Sequence, residues 1–271
     1  MARFLVLACL CLLGPEVCAM TANATDVLGK GAVLDSATIT VLFNNVPHDP
    51  GLETGWGMAC LVEHAQGTVL FDTGGDGRVL LANMRALGKD PGRVDHVVLS
   101  HEHGDHTGGV WRFLEAHSRV EVHAPEAFSR AFRARVERAG ARFVPVDGPV
   151  EIVPGIWTTG EMGRDIREQA LVLRTRHGLV VVTGCAHPGV VEIARQAMDV
   201  CEDGISLLAG GFHLAGQSRA HVRGIVEALR AMGVQRVGPS HCTGDEAMRL
   251  FRQAWGEDFL DLGCGAVLVV E

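Results

Sequence analysis

Residues 100–109 read S-H-E-H-G-D-H-T-G-G, and this stretch places three imidazoles and an aspartate carboxylate within six positions. Neutral imidazole and carboxylate are the side chains that bind divalent transition metals near neutral pH. The stretch follows the apolar run V-V-L at residues 97–99, which is typical of a buried strand. A polar surface loop rarely gathers four such ligands directly after a buried strand, so the pattern predicts a metal site.

The spacing within the stretch divides its ligands into two groups. His101 and His103 are two residues apart, so in an extended segment their side chains point the same way and can share one ion. Gly104 allows a sharp turn, which sends Asp105 and His106 towards a second ion. The sequence thus predicts a centre for one or two divalent ions.

The stretch resembles the HxHxDH signature of the metallo-β-lactamase superfamily. Residues 71–75, F-D-T-G-G, resemble the superfamily's first motif, an aspartate that closes an early strand. Later motifs resemble a subgroup labelled dihydropterin-ribofuranosylaminobenzene-phosphate synthase-like, or simply metal-dependent hydrolase: T-G-C-A-H-P-G at 183–189, G-G-F-H-L at 210–214 and S-H-C-T-G at 240–244. The resemblance covers roughly residues 39–271. It implies an α/β fold, the αββα sandwich of two mixed sheets with outer helices, over residues 37–271.

The composition allows a large core and argues against one class of partner. A chain of 271 residues with 47% hydrophobic residues can bury a sizeable core. Its net charge of −8 argues against general nucleic-acid binding, which usually needs a basic face. Tyrosine is absent, so no tyrosine hydroxyl takes part in acid–base chemistry.

Strand-like segments followed by helix-like segments recur in both halves of the chain. No low-complexity linker separates the halves, so we expect one domain over residues 37–271. Four local features predicted from the pattern are a helix over residues 126–138, Pro188 opening the next helix, a strand over residues 234–237, and a capping box of Thr243 and Glu246.

The N-terminal residues are typical of a secretory signal peptide over residues 1–19. A short basic start is followed by an apolar run at residues 4–13 and by small residues before Ala19. Cleavage is expected after Ala19, or else after Ala22, and the run is too short to span a membrane. We therefore expect a periplasmic or secreted protein, and a cytoplasmic one if the leader is not an export signal. The five cysteines beyond the leader form an odd set without regular spacing, which is not a disulfide framework.

The resemblance implies which residues complete the shell of the second ion. His241 matches the superfamily's last ligand histidine and joins Asp105 and His106. Cys185 stands where the superfamily usually has an aspartate that bridges both metals. Because a thiolate is softer than a carboxylate and need not bridge two ions, Cys185 is either a ligand or a small buried residue.

The third ligand of the first ion has two candidates. His187 can supply an imidazole from a different point in the chain, and Glu168 lies just before the strand that begins at Leu171. A site of three histidines keeps a fourth position open for water, so His187 is favoured. Zinc is the expected metal, with manganese or iron as alternatives.

The remaining predicted site residues surround the ligands. A buried carboxylate at Asp72 is expected to orient the histidine loop. His213 follows a strand and two glycines, and we expect it to support a metal ligand, contact a substrate anion, donate a proton to the leaving group, or pack as a core histidine. The loops expected to line the site carry Trp56, Arg164 and Arg167, and the two arginines favour a small anionic substrate.

These features together predict a hydrolase that uses a metal-activated water on an ester, lactone, lactam or phosphoester. Asp105 would orient the water as well as bind metal, and His213 would serve as acid–base group. Two other classes stay open: a pterin-type transferase that releases pyrophosphate, and an iron-binding redox protein on the same ligands. Export weighs against the transferase, because its substrate is intracellular. The sequence does not determine the oligomeric state.

Overall fold

The computed structural model describes residues 32–271. The predicted signal peptide over residues 1–19 lies outside these described residues. Within residues 32–271, no helix is long and apolar enough to cross a membrane.

Strands and helices alternate along both halves of the described chain. The strands are β1 (Ala37–Asn44), β2 (Met58–His64), β3 (Gly67–Phe71), β4 (His96–Val98), β5 (Glu121–Pro125), β6 (Arg142–Val146), β7 (Val150–Val153), β8 (Ile156–Thr158), β9 (Leu171–Thr175), β10 (Gly178–Thr183), β11 (Ile205–Gly211), β12 (Arg236–Ser240) and β13 (Val267–Val270). The helices are α1 (Gly77–Ala86), α2 (Gly104–Thr107), α3 (Val110–Ala116), α4 (Arg130–Arg138), α5 (Val190–Cys201), α6 (Arg219–Ala231) and α7 (Asp245–Trp255). Short 3₁₀ turns occupy Pro91–Arg93, His241–Thr243 and Gly256–Asp258.

The strands form two mixed sheets. The first has seven strands in the order β13-β1-β2-β3-β4-β5-β6, and the second has six in the order β12-β11-β10-β9-β8-β7. Strands β3 to β6 run parallel to one another, whereas β13, β1 and β2 pair antiparallel. In the second sheet β10, β11 and β12 are parallel, and the pairings from β7 to β10 are antiparallel.

Apolar side chains fill three layers around these sheets. The layer between the sheets includes Phe71 and Val98 from the first sheet and Leu173 from the second. Helices α1, α3 and α4 cover the outer face of the first sheet, and α5, α6 and α7 cover the outer face of the second. Deleting a fully buried aromatic such as Phe71 from such a core typically costs about 3–5 kcal/mol. The layers confirm the αββα sandwich.

Parallel pairing brings the carboxyl ends of five strands to one edge of the sandwich. Asp72 follows β3, the loop at residues 100–106 follows β4, Cys185 follows β10, His213 follows β11 and His241 follows β12. Ligands that are far apart in the sequence are thereby collected in the crevice outside the strand ends.

Two predicted helix starts are wrong. Helix α4 begins at Arg130 instead of residue 126, because the Ser129 hydroxyl accepts the N–H of Phe132 and caps the helix there. Helix α5 begins at Val190 because Gly189, at φ +105°, ends a turn in which its N–H donates to the Ala186 carbonyl. Pro188 therefore precedes the helix and does not open it.

Two predictions near residue 240 are also corrected. Strand β12 starts at Arg236 and extends to Ser240, since it pairs with β11 as far as Gly211. The predicted capping box does not form. The Thr243 hydroxyl donates to the Ser240 carbonyl at 2.6 Å and accepts the N–H of Phe212 at 3.1 Å, so it is not available to cap α7.

Candidate metal centre

Three histidines form a first cluster of potential ligands at the strand ends. His101, His103 and His187 each place one ring nitrogen within 4.8 Å of the others. Nε2 of His101 lies 3.0 Å from Nδ1 of His103, and the ring of His187 is 4.8 Å and 4.9 Å from the other two rings, centroid to centroid. The structure thus brings together the three residues that the sequence assigns to the first ion.

A second cluster with a mixed donor set lies beside the first. It contains Asp105, His106, Cys185 and His241, again with ligand atoms within 4.8 Å of one another. Nε2 of His106 is 3.2 Å from the Cys185 sulfur, and Nε2 of His241 is 3.2 Å from a carboxylate oxygen of Asp105. The rings of His101 and His106 are 4.3 Å apart, so the two clusters are in contact.

Neighbouring side chains hold the Nδ1 atoms of three of these histidines. Nδ1 of His106 contacts the Asp72 carboxylate at 2.7 Å, and Nδ1 of His241 contacts Oδ1 of Asn45 at 2.7 Å. The Ser100 hydroxyl is 2.9 Å from Nδ1 of His101. That hydroxyl gives its hydrogen to Asp72 at 2.7 Å, so it can only accept from the ring. Each ring therefore carries its proton on Nδ1 and turns the lone pair of Nε2 into the clusters.

Two ligand nitrogens of the clusters are buried in the described part of the chain without a hydrogen-bond partner. They are Nε2 of His187 and Nε2 of His241, the latter without hydrogen-bond geometry to Asp105. A buried polar atom left unpaired costs about 1–3 kcal/mol. One divalent ion in each cluster would satisfy the two atoms, and the nitrogen, oxygen and sulfur donors are those that zinc accepts. The residues present therefore fit a metal.

The ionisation states of the ligands suit a cation near neutral pH. Burial and the neighbouring histidines lower the pKa of His101 far below its usual range, and burial together with His213 lowers that of His187 to about 4. Burial raises the pKa of Asp105, but its contacts with His241 and His106 outweigh burial and bring the value to about 2. The rings of His101 and His187 are therefore neutral and Asp105 is ionised, which is the state that binds metal. Burial lowers the pKa of His106, but its contacts with Asp72 outweigh burial and raise it, so His106 would give up a proton when it binds an ion.

Asp72 connects the histidine loop to β3. Its carboxylate accepts the backbone N–H of Ser100 at 2.7 Å as well as the hydroxyl of Ser100 and Nδ1 of His106. Asp72 is fully buried and has a left-handed backbone, at φ +56°. Gly184 packs so closely on this network that a Cβ there would collide with the Ser100 hydroxyl. Asp72 thus fixes the position of the loop and the proton position of His106.

Glu168 lies outside both clusters. Its carboxylate accepts the backbone N–H groups of Cys185, Ala186 and His187 at 2.8–2.9 Å, and the residue is fully buried. Of the two candidates for the third ligand of the first ion, the structure brings only His187 to the other two histidines. Glu168 holds the loop that carries His187, a role that sequence reasoning missed.

His213 lies at the mouth of the centre. Its side chain is exposed, its ring centroid is 4.3 Å from that of His187, and its backbone is left-handed at φ +50°. It also places a ring nitrogen within 4.8 Å of ligand atoms of Cys185 and His187. The alternative of a core histidine is therefore wrong.

Cys185 and Cys242 form a close thiol pair behind the second cluster. Their sulfur atoms are 3.3 Å apart, and both residues are buried. The hydrogen bond with Cys242, and burial, raise the pKa of the Cys185 thiol. Cys185 would therefore bind as a thiolate only where a cation displaces its proton. The contact with Cys242 was not predicted, because no local pattern links the two residues.

The predicted substrate-binding residues lie on two different loops. Trp56 is 60% exposed and its ring is 4.9 Å from that of His241. Arg164 is exposed and lines a depression beside His187. Arg167 lines a neighbouring depression beside His103. Its guanidinium lies 3.6 Å from the carboxylate of Glu161 and donates to the carbonyl of Gly163, so its charge is partly neutralised.

Asn45 is a second residue that sequence reasoning missed. Its amide accepts from His241 through Oδ1 and donates to the His241 carbonyl at 3.2 Å. The neighbouring Asn44 donates to the Ser240 hydroxyl at 3.3 Å. The loop after β1 thus holds the end of β12. The asparagine pair N-N at residues 44–45 was the available signal, but it also fits an ordinary turn.

Comparisons with known proteins agree with this geometry. The profile of the family described as metallo-beta-lactamase superfamily matches residues 57–188. A solved structure described as a metal-dependent hydrolase of the beta-lactamase superfamily is 30% identical, with a TM-score of 0.71, and the match covers 86% of this chain and 98% of that one. YhfI from Bacillus subtilis, a metallo-beta-lactamase fold protein, is 13% identical with a TM-score of 0.65, over 87% and 100% of the chains.

One named relative has a different activity in its name. It is the 7,8-dihydropterin-6-methyl-4-(beta-D-ribofuranosyl)-aminobenzene-5'-phosphate synthase of Methanocaldococcus jannaschii, which is 28% identical over 74% of this chain and 83% of that protein. The fold, the collected ligands and these matches lead to one conclusion: the chain belongs to the metallo-β-lactamase superfamily.

Proposed function

We propose that the protein is a metal-dependent hydrolase that attacks an ester, lactone, lactam or phosphoester with a metal-activated water. The observation that carries this proposal is the convergence of the Nε2 lone pairs of His101, His106 and His241, each held by a partner on Nδ1. A bound divalent ion would lower the pKa of a coordinated water and polarise the bond to be broken. Zinc is proposed as the metal because the donors include imidazole, carboxylate and a thiol.

The proposed ligand assignment follows the two clusters. His101, His103 and His187 would hold the first ion, and Asp105, His106 and His241 the second, with Cys185 as a further ligand of the second. Asp72, Asn45 and Glu168 would keep these side chains in place.

Two residues have the chemistry to handle protons at the reacting centre. The Asp105 carboxylate is ionised and partly accessible, so it can orient the attacking water by accepting a hydrogen bond. The exposed imidazole of His213 stands next to His187 at the mouth, where it can donate a proton to the leaving group.

The substrate is proposed to be a small anionic molecule. Arg164 presents a cation beside His187, and the exposed face of Trp56 stands beside His241, on the side of the second cluster. An anionic group near Arg164 and an apolar part against Trp56 would place a scissile bond between them. The Glu161 ion pair makes Arg167 the weaker of the two cationic contacts.

Export is proposed on the leader over residues 1–19, whose composition fits a signal peptide. The N-terminal residue of the mature protein from its native host tests this proposal. A terminus at Met20 or Asn23 is expected, and an intact terminus at Met1 or Ala2 in the cytosol would contradict it.

A pterin-type transferase is a second candidate, favoured by the name of the 28% identical relative. In that reaction the same ligands would serve a pyrophosphate leaving group. Pyrophosphate release from a pterin diphosphate, dependent on an aminobenzene ribofuranoside phosphate, would identify it. The alternative of an iron-binding redox protein has no further observation in its favour.

The hydrolase proposal is tested with a panel of chromogenic esters, lactones, lactams and phosphodiesters. Activity should disappear with a chelator, return with zinc, and be lost in His103→Ala. His177→Ala is the matched control, because His177 lies exposed in the turn between β9 and β10. A protein that binds metal stoichiometrically but turns over no hydrolytic substrate and releases pyrophosphate instead would refute the proposal.

A further inference from the structure

A further group of potential metal ligands lies on strands β4 and β5, outside the two clusters of the metal centre. It consists of His96 on β4 and of Glu121 and His123 on β5, with ligand atoms within 4.8 Å of one another. His96 begins β4, whereas the histidine loop follows the end of that strand. The group shares no residue with the two clusters described above.

The register of the two strands explains why these side chains meet. Strands β4 and β5 are parallel, and His96 is paired with Glu121 and Val98 with His123. Because side chains alternate along a strand, Glu121 and His123 point to the same face of the sheet. Val97 and Val122 point to the opposite face and pack under the helices. All three ligands therefore emerge from the inner face, near the edge of the first sheet.

The distances within the group are those of a coordination shell. Nδ1 of His96 lies 3.2 Å from Nε2 of His123, and Oε2 of Glu121 lies 3.3 Å from that same Nε2 and 3.6 Å from Nδ1 of His96. Ligands bound at 2.0–2.1 Å to a tetrahedral zinc ion are separated by about 3.3–3.4 Å. The three atoms thus form one face of a tetrahedron of the correct size.

The surroundings leave these atoms available to a cation. Arg142 pairs with the other oxygen of Glu121, Oε1, so Oε2 remains directed at the histidines. A hydrogen bond to the distal oxygen commonly orients a carboxylate ligand. Burial, and then the neighbouring His96, lower the pKa of His123 to about 4, which keeps its ring neutral. The side chains of His96 and Glu121 are 18% and 33% exposed, which gives an ion and a water a path inward.

We propose that His96, Glu121 and His123 form a separate divalent metal site of the zinc class, with water in the fourth position. The site would join strands β4 and β5 at the edge where the first sheet faces β8, because Gln169 bonds both the His123 carbonyl and the Thr158 hydroxyl. An ion there would stabilise the strand that leads into the histidine loop. This role is distinct from the proposed catalysis and does not depend on it.

Metal stoichiometry tests the proposal without any substrate. The full chain is dialysed to equilibrium against buffered free Zn²⁺, and bound zinc is measured by elemental analysis. His96→Ala and Glu121→Gln should each bind about one equivalent less than the unaltered protein. His177→Ala, which changes an exposed histidine, should bind the same amount as the unaltered protein.

A second readout keeps the test independent of folding. Circular dichroism should give equal secondary structure for all four proteins, and Co²⁺ loaded in place of zinc should lose one set of d–d bands in the two variants. Equal zinc content in all four proteins would overturn the proposal. The contact between His96 and His123 would then be a hydrogen bond without a metal. Loss of zinc in His96→Ala but not in Glu121→Gln would overturn the three-ligand site.

Discussion

The carboxylate of Glu168 accepts the backbone N–H of His187 at 2.8 Å, and the same carboxylate accepts the N–H groups of the two preceding residues. Ala186, between the two potential ligands, has a left-handed backbone at φ +60°. Such a conformation costs of order 1–3 kcal/mol and persists only where the surroundings enforce it. The three hydrogen bonds to Glu168 hold the backbone of residues 185–187 in this conformation. Glu168 thus positions the potential ligands Cys185 and His187 although it lies outside both clusters.

Glu168→Gln should therefore weaken metal binding although Glu168 touches no ligand side chain. The glutamine amide group would present its own hydrogens to one or more backbone N–H groups and release part of the loop. We expect a loss of metal affinity of about 10–100-fold, the usual effect of changing a residue that supports a ligand. Competition with a chromophoric chelator measures it, and exposed Glu257→Gln is the control. Unchanged metal affinity would show that residues 185–187 keep their conformation without the carboxylate of Glu168.

Asp72→Asn tests the histidine loop in the same way. The asparagine can keep its oxygen as acceptor for the Ser100 N–H, but its amide hydrogens would then face both the Ser100 hydroxyl and Nδ1 of His106. Without the carboxylate, His106 loses the partner that keeps its proton on Nδ1. We expect metal affinity to fall about 10–100-fold, and exposed Asp258→Asn to leave it unchanged. An effect on thermal stability with full metal affinity would contradict the assigned role.

His187→Ala and His213→Ala should separate metal binding from proton transfer. The rings are 4.3 Å apart, but only that of His187 joins His101 and His103. His187→Ala should lose the tightly bound ion, as measured by elemental analysis. His213→Ala should keep the metal, reduce kcat by about 10²–10⁴-fold and remove one limb of the pH profile. Loss of metal in His213→Ala would contradict this assignment and show that His213 is a metal ligand.

The parts of this site that lie close together in the sequence could be predicted, and those that depend on backbone contacts could not. His101 to His106 are contiguous, and Asp72 directly ends a strand, so their grouping follows from local pattern. Glu168 binds backbone N–H groups, and Asn45 binds the ring of a histidine that is distant in the sequence. Such contacts produce no characteristic residue spacing in the sequence. The His96 group requires the register of β4 and β5, which the sequence of either strand alone does not contain.

The same limit applies to the ends of the secondary-structure elements. Helix α4 starts late because Ser129 accepts from the Phe132 N–H, while its own hydroxyl and N–H donate to Glu102 in the histidine loop. The apolar periodicity was correct, but this long-range partner decided the boundary. Thr243 is diverted from its expected cap by Ser240 and Phe212 for the same reason.

The metal-free protein should lose stability as the pH falls below about 6.5. The pKa values of His187 and His123 are lowered to about 4 from an ordinary value of 6.5. Between about pH 4 and 6.5 these two rings therefore bind more protons in the unfolded chain than in the folded chain, and their contribution to the free energy of unfolding rises with pH. His106, whose pKa the contacts with Asp72 raise, contributes in the opposite direction, but it is one group against two. Urea unfolding of chelator-treated protein at pH 5, 6 and 7.5 should give midpoints in that ascending order. Flat midpoints over this range would mean that these rings are protonated in the folded state.

The two sulfurs near the second cluster can be distinguished by substitution with serine. Sγ of Cys185 lies 3.2 Å from Nε2 of His106, whereas Cys242 belongs to none of the ligand groups among the described residues and contacts Cys185 and His213. A thiolate bound to Co²⁺ gives an intense sulfur-to-metal charge-transfer band, so the cobalt-loaded protein reports the ligand directly. If Cys185 binds the second ion, Cys185→Ser should abolish the band and lower the metal content, and Cys242→Ser should retain both. If neither variant changes the spectrum and no band is present at the start, Cys185 only packs against its neighbours, and the second ion has three protein ligands.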